Sequence, residues 1–555
     1  MQYSGASLLM ELLSRQGIGI VAGIPGGANL PIYDALGQSD LRHILVRHEQ
    51  AGGFLAQGMA RSTGKAAACF ATSGPGAVNL LTAIADAKLD SVPIVAVTGQ
   101  VASPLIGTDA FQEVDTYGMS IPVTKHNFLV RSVSELLEVV PEAFRIALSG
   151  RQGPVLIDIP KDVQQARIDL DSLPAPGVAD PPPEPEGGLL ASMARLIASA
   201  ERPLLYVGGG VVASGAEEEV RALSAACGIP VVCTLMGLGI MDPDDPLHLG
   251  MLGMHGSRVT NLAVDRADLL IALGVRFDDR ATGSLAGFAP RARVIHMDID
   301  EAEIGKIRRP DISAGCDVKR ALWRLNRLVA RTTREAWRAE IDALRREYPV
   351  ALPADDSHPG RLAAALAEAA PEDAIVTVDV GQHQMWAAQS WPVRRTRSFL
   401  TSGGLGTMGF ALPAAMGAAL AHPDKTVFVL SGDGSLLMNI QELATIAENN
   451  LDIKICVFNN GHLGLVRQQQ ELFYGKRYVA SRFHAQPDFA AIARGFGIPG
   501  SRIAMPRDEG ALARALSVKG PVLLDIAVPE TENVYPMVPP GKSNIESIWS
   551  HGGNA

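Results

Sequence analysis

The chain has 555 residues, which exceeds the length of one ordinary domain core and predicts several domains. Its net charge of -10 and the absence of a long basic run exclude a surface built to bind nucleic acid. Hydrophobic residues make up 47% of the chain and charged residues 19%, which excludes a disordered protein. We expect a large enzyme whose partners are small molecules or other protein chains.

The first segment, MQYSGASLLMELLSRQG, has leucines at helical spacing and neither a basic start nor an unbroken apolar stretch, so it predicts a helix and not a signal peptide. No run of residues is long and apolar enough to cross a membrane. These features favour a cytoplasmic protein. The cysteines are odd in number, far apart and set in apolar runs, so we expect reduced core residues: Cys69, Cys227, Cys233, Cys316 and Cys456.

Apolar strand-like runs alternate with helical segments, as in ILVRH, a helix from about Glu49, the run AAACFATSGPG, a further helix and VPIVAVTGQ. This alternation predicts an α/β fold with three doubly wound parallel-sheet domains. Two stretches interrupt it: the Pro-rich segment 173–188, which predicts a linker, and a softer break near 351–360. The predicted domains are 1–172, 189–345 and 356–555.

The stretch from Gly432 to Asn460 predicts one βαβ unit, with the strand TVFVLSGDG, one helix over MNIQELATIAENN and the strand IKICVFNN. A right-handed crossover makes the strands parallel, so Asp433 and Asn460 would meet at the carboxyl edge of the sheet, where ligands bind. A carboxylate and an amide oxygen suit Mg²⁺, and the flanking glycines allow phosphate to approach the backbone. Asp433 alone would fit a helix cap better than a metal site; the Asn-Asn pair reverses that preference.

This pattern resembles the motif that binds diphosphate and Mg²⁺ in thiamin diphosphate enzymes. The resemblance implies that Asp433, Asn460 and the main-chain carbonyl of His462 hold the metal. DVGQHQMWAA and LTSGGLGTMGFALPAA resemble further segments of that family. The residues that the resemblance implies in contact with thiamin diphosphate are Gly381, Gln382, His383, Met408, Gly434, Ser435 and Leu465.

The run LVRHEQAGGFLAQGMARSTGK offers Glu49 where a strand gives way to a helix. Taken alone, a carboxylate in a first helical turn most often complements the helix dipole. The run resembles the pyrimidine-binding domain of the same family, which implies that Glu49 bonds the aminopyrimidine and that Gly27, in GIPGGANLPIYDAL, lies near the reacting carbons. In this family the pyrimidine domain of one subunit faces the diphosphate domain of another, so the resemblance implies a homodimer or homotetramer.

Within that family the whole chain resembles acetohydroxyacid synthase, through GTDAFQEVD, IPKD, GMLGMHG, GVRFDDR, HMDID and VPPGKSN in order. By resemblance Phe111, Gln112 and Lys161 line the substrate channel, and Arg280 binds a 2-ketoacid carboxylate, which its planar fork suits. FAD is implied in the middle domain as a structural cofactor. Its implied residues are Gly208, Gly210, Met254, His255, Arg276 and Arg280.

Two positions depart from that pattern: Ile24 stands where relatives commonly carry a Tyr, and Gln469 stands where they usually carry a Trp that shapes the pocket for the second substrate. The implied reaction decarboxylates pyruvate and joins the two-carbon unit to a second 2-ketoacid, giving 2-acetolactate or 2-aceto-2-hydroxybutyrate in branched-chain amino acid biosynthesis. The alternatives are a carboligase with an aldehyde or keto-sugar acceptor, a flavin-using pyruvate oxidase and a non-catalytic binding protein. The sequence leaves open whether a small regulatory subunit binds.

Overall fold

A computed structural model describes residues 1–350, 352–504 and 509–549. The N-terminal unit is a sheet of parallel strands in the order β3-β2-β4-β5-β7-β6, beside a short antiparallel pair of β1 and β8. Its strands are β1 Gln2–Ser4, β2 Ile20–Gly23, β3 Arg42–Leu45, β4 Ala67–Ala71, β5 Ile94–Gln100, β6 His126–Leu129, β7 Val155–Pro160 and β8 Arg167–Asp169. Its helices are α1 Gly5–Arg15, α2 Leu30–Leu36, α3 Glu49–Thr63, α4 Pro75–Leu89, α5 Thr116–Ser120, α6 Leu136–Leu148 and α7 Lys161–Gln165.

The middle unit is a second parallel sheet, in the order β11-β10-β9-β12-β13-β14. Its strands are β9 Pro203–Val207, β10 Val231–Cys233, β11 His248–Met251, β12 Leu269–Leu273, β13 Arg293–Asp298 and β14 Ile312–Gly315. Its helices are α8 Gly187–Ser199, α9 Gly209–Ser214, α10 Glu217–Cys227, α11 Arg258–Arg266, α12 Asp279–Thr282, α13 Val318–Leu325 and α14 Glu335–Glu347.

The C-terminal unit is a third parallel sheet, in the order β16-β15-β17-β18-β20-β19. Its strands are β15 Ile375–Val378, β16 Phe399–Thr401, β17 Val427–Gly432, β18 Ile453–Asn459, β19 Gly500–Ile503 and β20 Val522–Ala527. Its helices are α15 Pro359–Ala369, α16 Gln382–Ser390, α17 Ala411–Ala421, α18 Asp433–Leu436, α19 Leu443–Glu448, α20 Gly464–Phe473, α21 Phe489–Gly495 and α22 Glu509–Leu516.

One hydrophobic core is shared by the N-terminal and C-terminal units. It forms where α3 crosses α17, and the rings of Phe54 and Phe410 meet edge to face with centroids 5.5 Å apart. The helices approach so closely that a Cβ at Gly58 would lie 2.0 Å from the carbonyl oxygen of Ala414. The small residues that the sequence places in α3 therefore serve this contact between two units of one chain.

The three doubly wound parallel sheets confirm the predicted fold class, and the helix predicted from Glu49 begins at that residue. The helix predicted over MNIQELATIAENN forms over residues 440–448, as a 3-10 turn at Ile440–Glu442 that continues into α19. The short helix α18 before it was not predicted, and Asn439, with φ -136° and ψ 27°, separates the two. The antiparallel pair of β1 and β8 was not predicted.

The predicted linker 173–188 contains no strand, and α8 begins at Gly187. The domain boundaries themselves stay a prediction; Ala351 in the second break and residues 550–555 of the last domain lie outside the described residues. All five cysteines are buried and free, as predicted for core residues. Within the described ranges, no helix is long and apolar enough to cross a membrane.

Candidate active site

The candidate cofactor residues of the C-terminal unit all follow the carboxyl ends of parallel strands. Gly381 to His383 come after β15, Met408 after β16, Asp433 to Ser435 after β17, and Asn460 to Leu465 after β18. Parallel strands end at one edge of the sheet, and α/β sheets bind ligands there. The fold therefore gathers on one edge a set of residues that lies up to 84 positions apart in the sequence, between Gly381 and Leu465.

Asp433 and Asn460 are joined at this edge by Gly461, the residue that follows Asn460. The Asp433 Oδ2 accepts the Gly461 amide at 2.7 Å, and the Asn460 Oδ1 accepts the His462 amide at 3.1 Å. Burial raises the pKa of the Asp433 carboxyl, and the amide donors oppose that rise. The His462 imidazole donates from Nδ1 to the Asn460 carbonyl at 2.9 Å, and the oxygen that this residue can offer a metal is its main-chain carbonyl.

No cluster of three or more histidine, cysteine or carboxylate side chains that could hold a metal exists among the described residues. A cation at this edge would therefore depend on one carboxylate together with amide and main-chain oxygens. That donor set fits Mg²⁺, which needs few protein ligands and completes its octahedron with phosphate and water oxygens. It does not fit a thiophilic metal such as zinc.

His383 supplies a second sign that a ligand belongs here. The side chain is buried, its Nε2 has no hydrogen-bond partner within the described residues, and its ring touches the backbone of two glycines. A Cβ at Gly381 would lie 2.6 Å from the ring, and one at Gly432 would lie 3.0 Å from it. Burial lowers the pKa of His383 to about 3 and holds the imidazole neutral. A buried polar atom without a partner is uncommon, and a bound ligand that donates to Nε2 would satisfy it.

Gln382 connects this edge to the C-terminal segment of the chain. Its Oε1 accepts from the Asn460 Nδ2 at 3.2 Å, and its Nε2 donates to the Gln468 Oε1 at 2.9 Å. Gln468 is fully buried and also bonds the main chain of Val534, from its Oε1 and its Nε2. Sequence reasoning missed Gln468, which lies next to Gln469, the residue that it singled out.

The loop that carries Met408 is held from two sides. Asp379 accepts the Gly409 amide at 2.9 Å on Oδ1 and the Ala411 amide at 3.2 Å on Oδ2. Asn439 donates to the Gly409 carbonyl at 2.7 Å. Neither Asp379 nor Asn439 was predicted as a site residue, although Asp379 is the first residue of the predicted run DVGQHQMWAA.

The Ser435 hydroxyl donates to the Val380 carbonyl at 3.0 Å, which ties α18 to the strand before Gly381. Gly434 packs so closely that a Cβ would lie 2.8 Å from the Leu463 side chain. Leu465 is half-buried in the first turn of α20. These contacts place all three predicted residues of this group, Gly434, Ser435 and Leu465, in the wall of the same edge.

The N-terminal sheet gathers its own candidates at its carboxyl edge. Gly27 follows β2, Glu49 follows β3, Gln112 follows β5 and Lys161 follows β7. Glu49 is half-buried at the start of α3, and its Oε2 accepts from the Asn79 Nδ2 at 2.9 Å. No hydrogen bond or ion pair in the described part of the chain joins Glu49 to the metal-site candidates of the C-terminal unit.

The loop after β5 presents Phe111 and Gln112. Phe111 is 88% exposed, an unusual position for a large apolar ring, and Gln112 has a left-handed backbone with φ 59°. Gly74 packs closely against the Gln112 backbone, since a Cβ at Gly74 would lie 2.7 Å from the Gln112 carbonyl oxygen. Lys161 begins α7, and the next residue, Asp162, accepts the Ser103 amide at 2.8 Å, which fixes this loop beside Lys161. Gly27 is exposed, with open space around it.

The middle unit brings Met254, His255 and Arg280 together. Met254 donates its amide to the Arg280 carbonyl at 2.8 Å, and the Arg280 Nη1 lies 3.7 Å from the Met254 Sδ. The His255 Nδ1 donates to the Pro536 carbonyl at 2.9 Å, and burial lowers the pKa of this imidazole to about 4. The Arg280 side chain is 69% exposed, so its guanidinium can reach a ligand.

Gly208 and Gly210, the glycines implied for FAD, have a packing reason. A Cβ at Gly208 would lie 2.6 Å from the Gly274 carbonyl oxygen, and one at Gly210 would lie 2.5 Å from the Gly274 Cα. The close contact between β9 and the end of β12 thus requires both glycines whether or not a nucleotide binds. Arg276, two residues beyond Gly274, is half-buried at the same edge.

Gln469 lies on the exposed face of α20, whereas Arg467 and Gln468 on its other face are buried. The Arg467 Nη2 donates to the Thr531 carbonyl at 2.9 Å and to the Asn533 side chain at 2.8 Å. The helix is therefore anchored on the C-terminal segment and turns Gln469 outward.

Comparison with known proteins agrees with this architecture. Residues 3–119 match the N-terminal TPP binding domain of thiamine pyrophosphate enzymes, 190–325 match the central domain, and 379–526 match the C-terminal TPP binding domain. The acetolactate synthase isozyme 1 large subunit of Escherichia coli (strain K12) is 52% identical over 552 residues, which cover 99% of this chain and 98% of that protein.

Two other relatives cover the chain as fully. The acetolactate synthase isozyme 2 large subunit of Escherichia coli (strain K12) is 48% identical over 98% of this chain and 99% of its own length. Acetolactate synthase 1, chloroplastic, of Oryza sativa subsp. japonica is 48% identical over 99% of this chain and 88% of its own length. The chain belongs to the acetolactate synthase large-subunit family. It is a thiamine diphosphate-dependent enzyme that condenses pyruvate in branched-chain amino acid biosynthesis, and the cofactors of this family are thiamine diphosphate, Mg²⁺ and FAD.

Proposed function

We propose that the C-terminal edge binds the diphosphate and the Mg²⁺ of thiamine diphosphate. Asp433, Asn460 and the main-chain carbonyl of His462 hold the cation, and the His383 side chain borders the diphosphate. The observation that carries this assignment is the junction of Asp433 and Asn460 through the Gly461 amide, beside an imidazole nitrogen without a partner. The further contacts of the cofactor are assigned to Gly381, Gln382, Met408, Gly434, Ser435 and Leu465.

Bound thiamine diphosphate supplies an electron sink for the carbon that loses CO₂. The residues of this chain position, polarise and exclude water. Glu49 serves as the acid-base carboxylate for the aminopyrimidine, and the Asn79 amide fixes the direction of its Oε2. Gly27, which has no side chain to obstruct the approach, leaves the backbone open beside the reacting carbons.

The acceptor side of the site is assigned to the loop after β5 and to the middle unit. Phe111, Gln112 and Lys161 line the approach, and the exposed guanidinium of Arg280 binds the carboxylate of the second 2-ketoacid. FAD is placed at the carboxyl edge of the middle sheet, against Gly208, Gly210, Met254, His255 and Arg276. The products are 2-acetolactate from two molecules of pyruvate and 2-aceto-2-hydroxybutyrate from pyruvate with 2-ketobutyrate.

We also propose that the active site forms between two subunits, so that Glu49 of one chain serves the cofactor held by Asp433 of the other. Two inactive variants test this, Glu49→Gln and Asp433→Ala, coexpressed with different tags. Mixed dimers would contain one site free of both changes, so about a quarter of the parent sites should be restored. If both residues served one site within a chain, every site would carry a defect and the mixture would stay inactive.

Product analysis tests the reaction. The purified chain with pyruvate, thiamine diphosphate, Mg²⁺ and FAD should release acetolactate, and should add acetohydroxybutyrate when 2-ketobutyrate is supplied. Acetate with peroxide in place of acetolactate would refute the condensation. Because the relatives are large subunits, we propose that a separate small regulatory subunit binds this chain. A pull-down with the small subunit encoded by the same genome tests that proposal, and no complex in the presence of cofactors would refute it.

A further inference from the structure

The turn that leads into Glu49 is held by a carboxylate from the C-terminal unit. Glu442 accepts the main-chain amides of Arg47 and His48 on one oxygen, at 2.9 Å and 3.1 Å. These two residues immediately precede Glu49, the first residue of α3. The contact joins positions 395 and 394 residues apart in the chain.

Glu442 is itself fixed in place. Its side chain is completely buried, and its other oxygen accepts the Thr445 hydroxyl at 2.7 Å. Burial raises the pKa of Glu442, and the hydrogen bonds from Thr445, Arg47 and His48 oppose that rise. A buried carboxylate is costly unless donors satisfy it, so this one depends on the amides that it orients.

A second residue of the same segment reaches the other side of Glu49. The Asn439 Nδ2 lies 3.3 Å from the Gln50 Oε1 and donates to the Gly409 carbonyl at 2.7 Å. The backbone before Glu49 and the side chain after it are thus both tied to the segment 439–442. If these bonds only packed the two units together, there would be no reason for them to fall on the residues that flank the acid-base carboxylate.

We propose that Glu442 is a positioning residue for Glu49, which fixes the turn from which Glu49 meets the aminopyrimidine. This inference rests on the proposed role of Glu49. Glu442 touches neither substrate nor cofactor in this account; it acts through the two amides. A displacement of about 1 Å at a reacting group can cost about 10²-fold in rate, which sets the size of the expected effect.

The test compares Glu442→Ala with Glu442→Gln and with the control Glu448→Ala. A glutamine can still offer one oxygen to both amides and its NH₂ to the Thr445 oxygen, so it should rescue. Glu448 also contacts Arg47, but through the exposed guanidinium at 2.7 Å, and its loss leaves the two backbone bonds in place. Such an exposed pair contributes little to stability.

Two readouts separate positioning from general damage. In the apo chain, hydrogen exchange of the Arg47 and His48 amides should be at least about tenfold faster in Glu442→Ala, since both lose their acceptor. In the loaded protein, exchange of the cofactor C2 proton, read by NMR after acid quench, should fall about 10²-fold while the Kd for thiamine diphosphate changes by less than about threefold. Glu442→Gln and Glu448→Ala should match the parent in both.

Unchanged amide exchange in a folded Glu442→Ala protein overturns the inference, as does parent-like C2 exchange. A parallel loss of cofactor affinity also overturns it, because the residue would then support the C-terminal unit in general. Should the alanine variant not fold, Glu442→Asp withdraws the oxygen by one methylene, keeps the charge and is held to the same criteria. The role of Glu49 is judged separately: parent-like C2 exchange in Glu49→Gln would refute the proposed function while leaving the apo amide result intact.

Discussion

Replacing Gly464 by alanine places one methyl group into the contact between the cofactor edge and the C-terminal segment. A Cβ there would lie 2.2 Å from the Gln382 Oε1 and 2.8 Å from the Asn460 Nδ2, both closer than Cβ atoms come in proteins. Gln382 must therefore move and give up its bonds to Asn460, Gln468 and the Glu532 carbonyl. At about 1 kcal/mol for each of two or three bonds, cofactor binding should weaken about 30- to 150-fold.

The fold itself should survive, because Gly464 lies in α20 and alanine is favoured over glycine in a helix by about 1 kcal/mol. Gly495→Ala is the matched control: this glycine ends α21 and has nothing within 4 Å of the added methyl. Calorimetric titration of thiamine diphosphate at fixed Mg²⁺ measures the effect, with circular dichroism to verify folding. Parent affinity in a folded Gly464→Ala protein would show that Gln382 and Asn460 do not border the cofactor.

Three further changes address the metal, the pH dependence and the acceptor. Asp433→Ala should abolish the Mg²⁺-dependent retention of thiamine diphosphate on dialysis, and full retention would remove Asp433 from the metal site. Burial raises the pKa of Asp158 to about 7, so the folded state holds a proton that the unfolded state releases, and stability should fall from about pH 4 to pH 7 by at most about 1.4 kcal/mol per unit. Asp158→Asn should flatten that slope in thermal melts, and an unchanged slope would assign it to other groups. Gln469→Trp should raise the ratio of acetohydroxybutyrate to acetolactate in a mixed-substrate competition by up to about 10- to 200-fold, the value of one methylene in an apolar pocket. It should also increase sensitivity to herbicides that stack on the indole. An unchanged ratio in a folded variant would place Gln469 outside the acceptor pocket.

The sequence predicts the parts of the site that depend on local patterns. An apolar run followed by a Gly-rich turn indicates where a parallel strand ends, and that end is where the fold places Glu49 and Asp433. The strand-turn-helix pattern brings each residue to the edge of its sheet, whereas its role is assigned from the later Asn-Asn pair for Asp433 and from the family resemblance for Glu49. The order of the strands within each sheet adds no further requirement, since every carboxyl end in a parallel sheet reaches the same edge.

The residues that sequence reasoning missed are those whose contacts span long stretches of chain. Gln468 reads as one of three glutamines on a polar helix, yet it is the buried one, and its partners Gln382 and Val534 lie 86 and 66 residues away. Glu442 reads as a charged residue of an amphipathic helix. That helix forms, but the partners of the Glu442 carboxylate are the main-chain amides of Arg47 and His48, which lie 395 and 394 residues away.

The two ends of the segment 433–442 have different roles. Asp433 at one end belongs to the proposed metal site, and Glu442 at the other holds the turn before Glu49. In the proposed dimer, Glu49 serves the cofactor of the partner, so this segment would join the metal of one active site to the acid-base carboxylate of the next. Asn439, between the two ends, leaves helical geometry, so α18 and the 3-10 turn at Ile440–Glu442 are separate elements. The local helix propensity that this segment gives up is offset by the buried bonds that it makes to Arg47 and His48, at about 1 kcal/mol each.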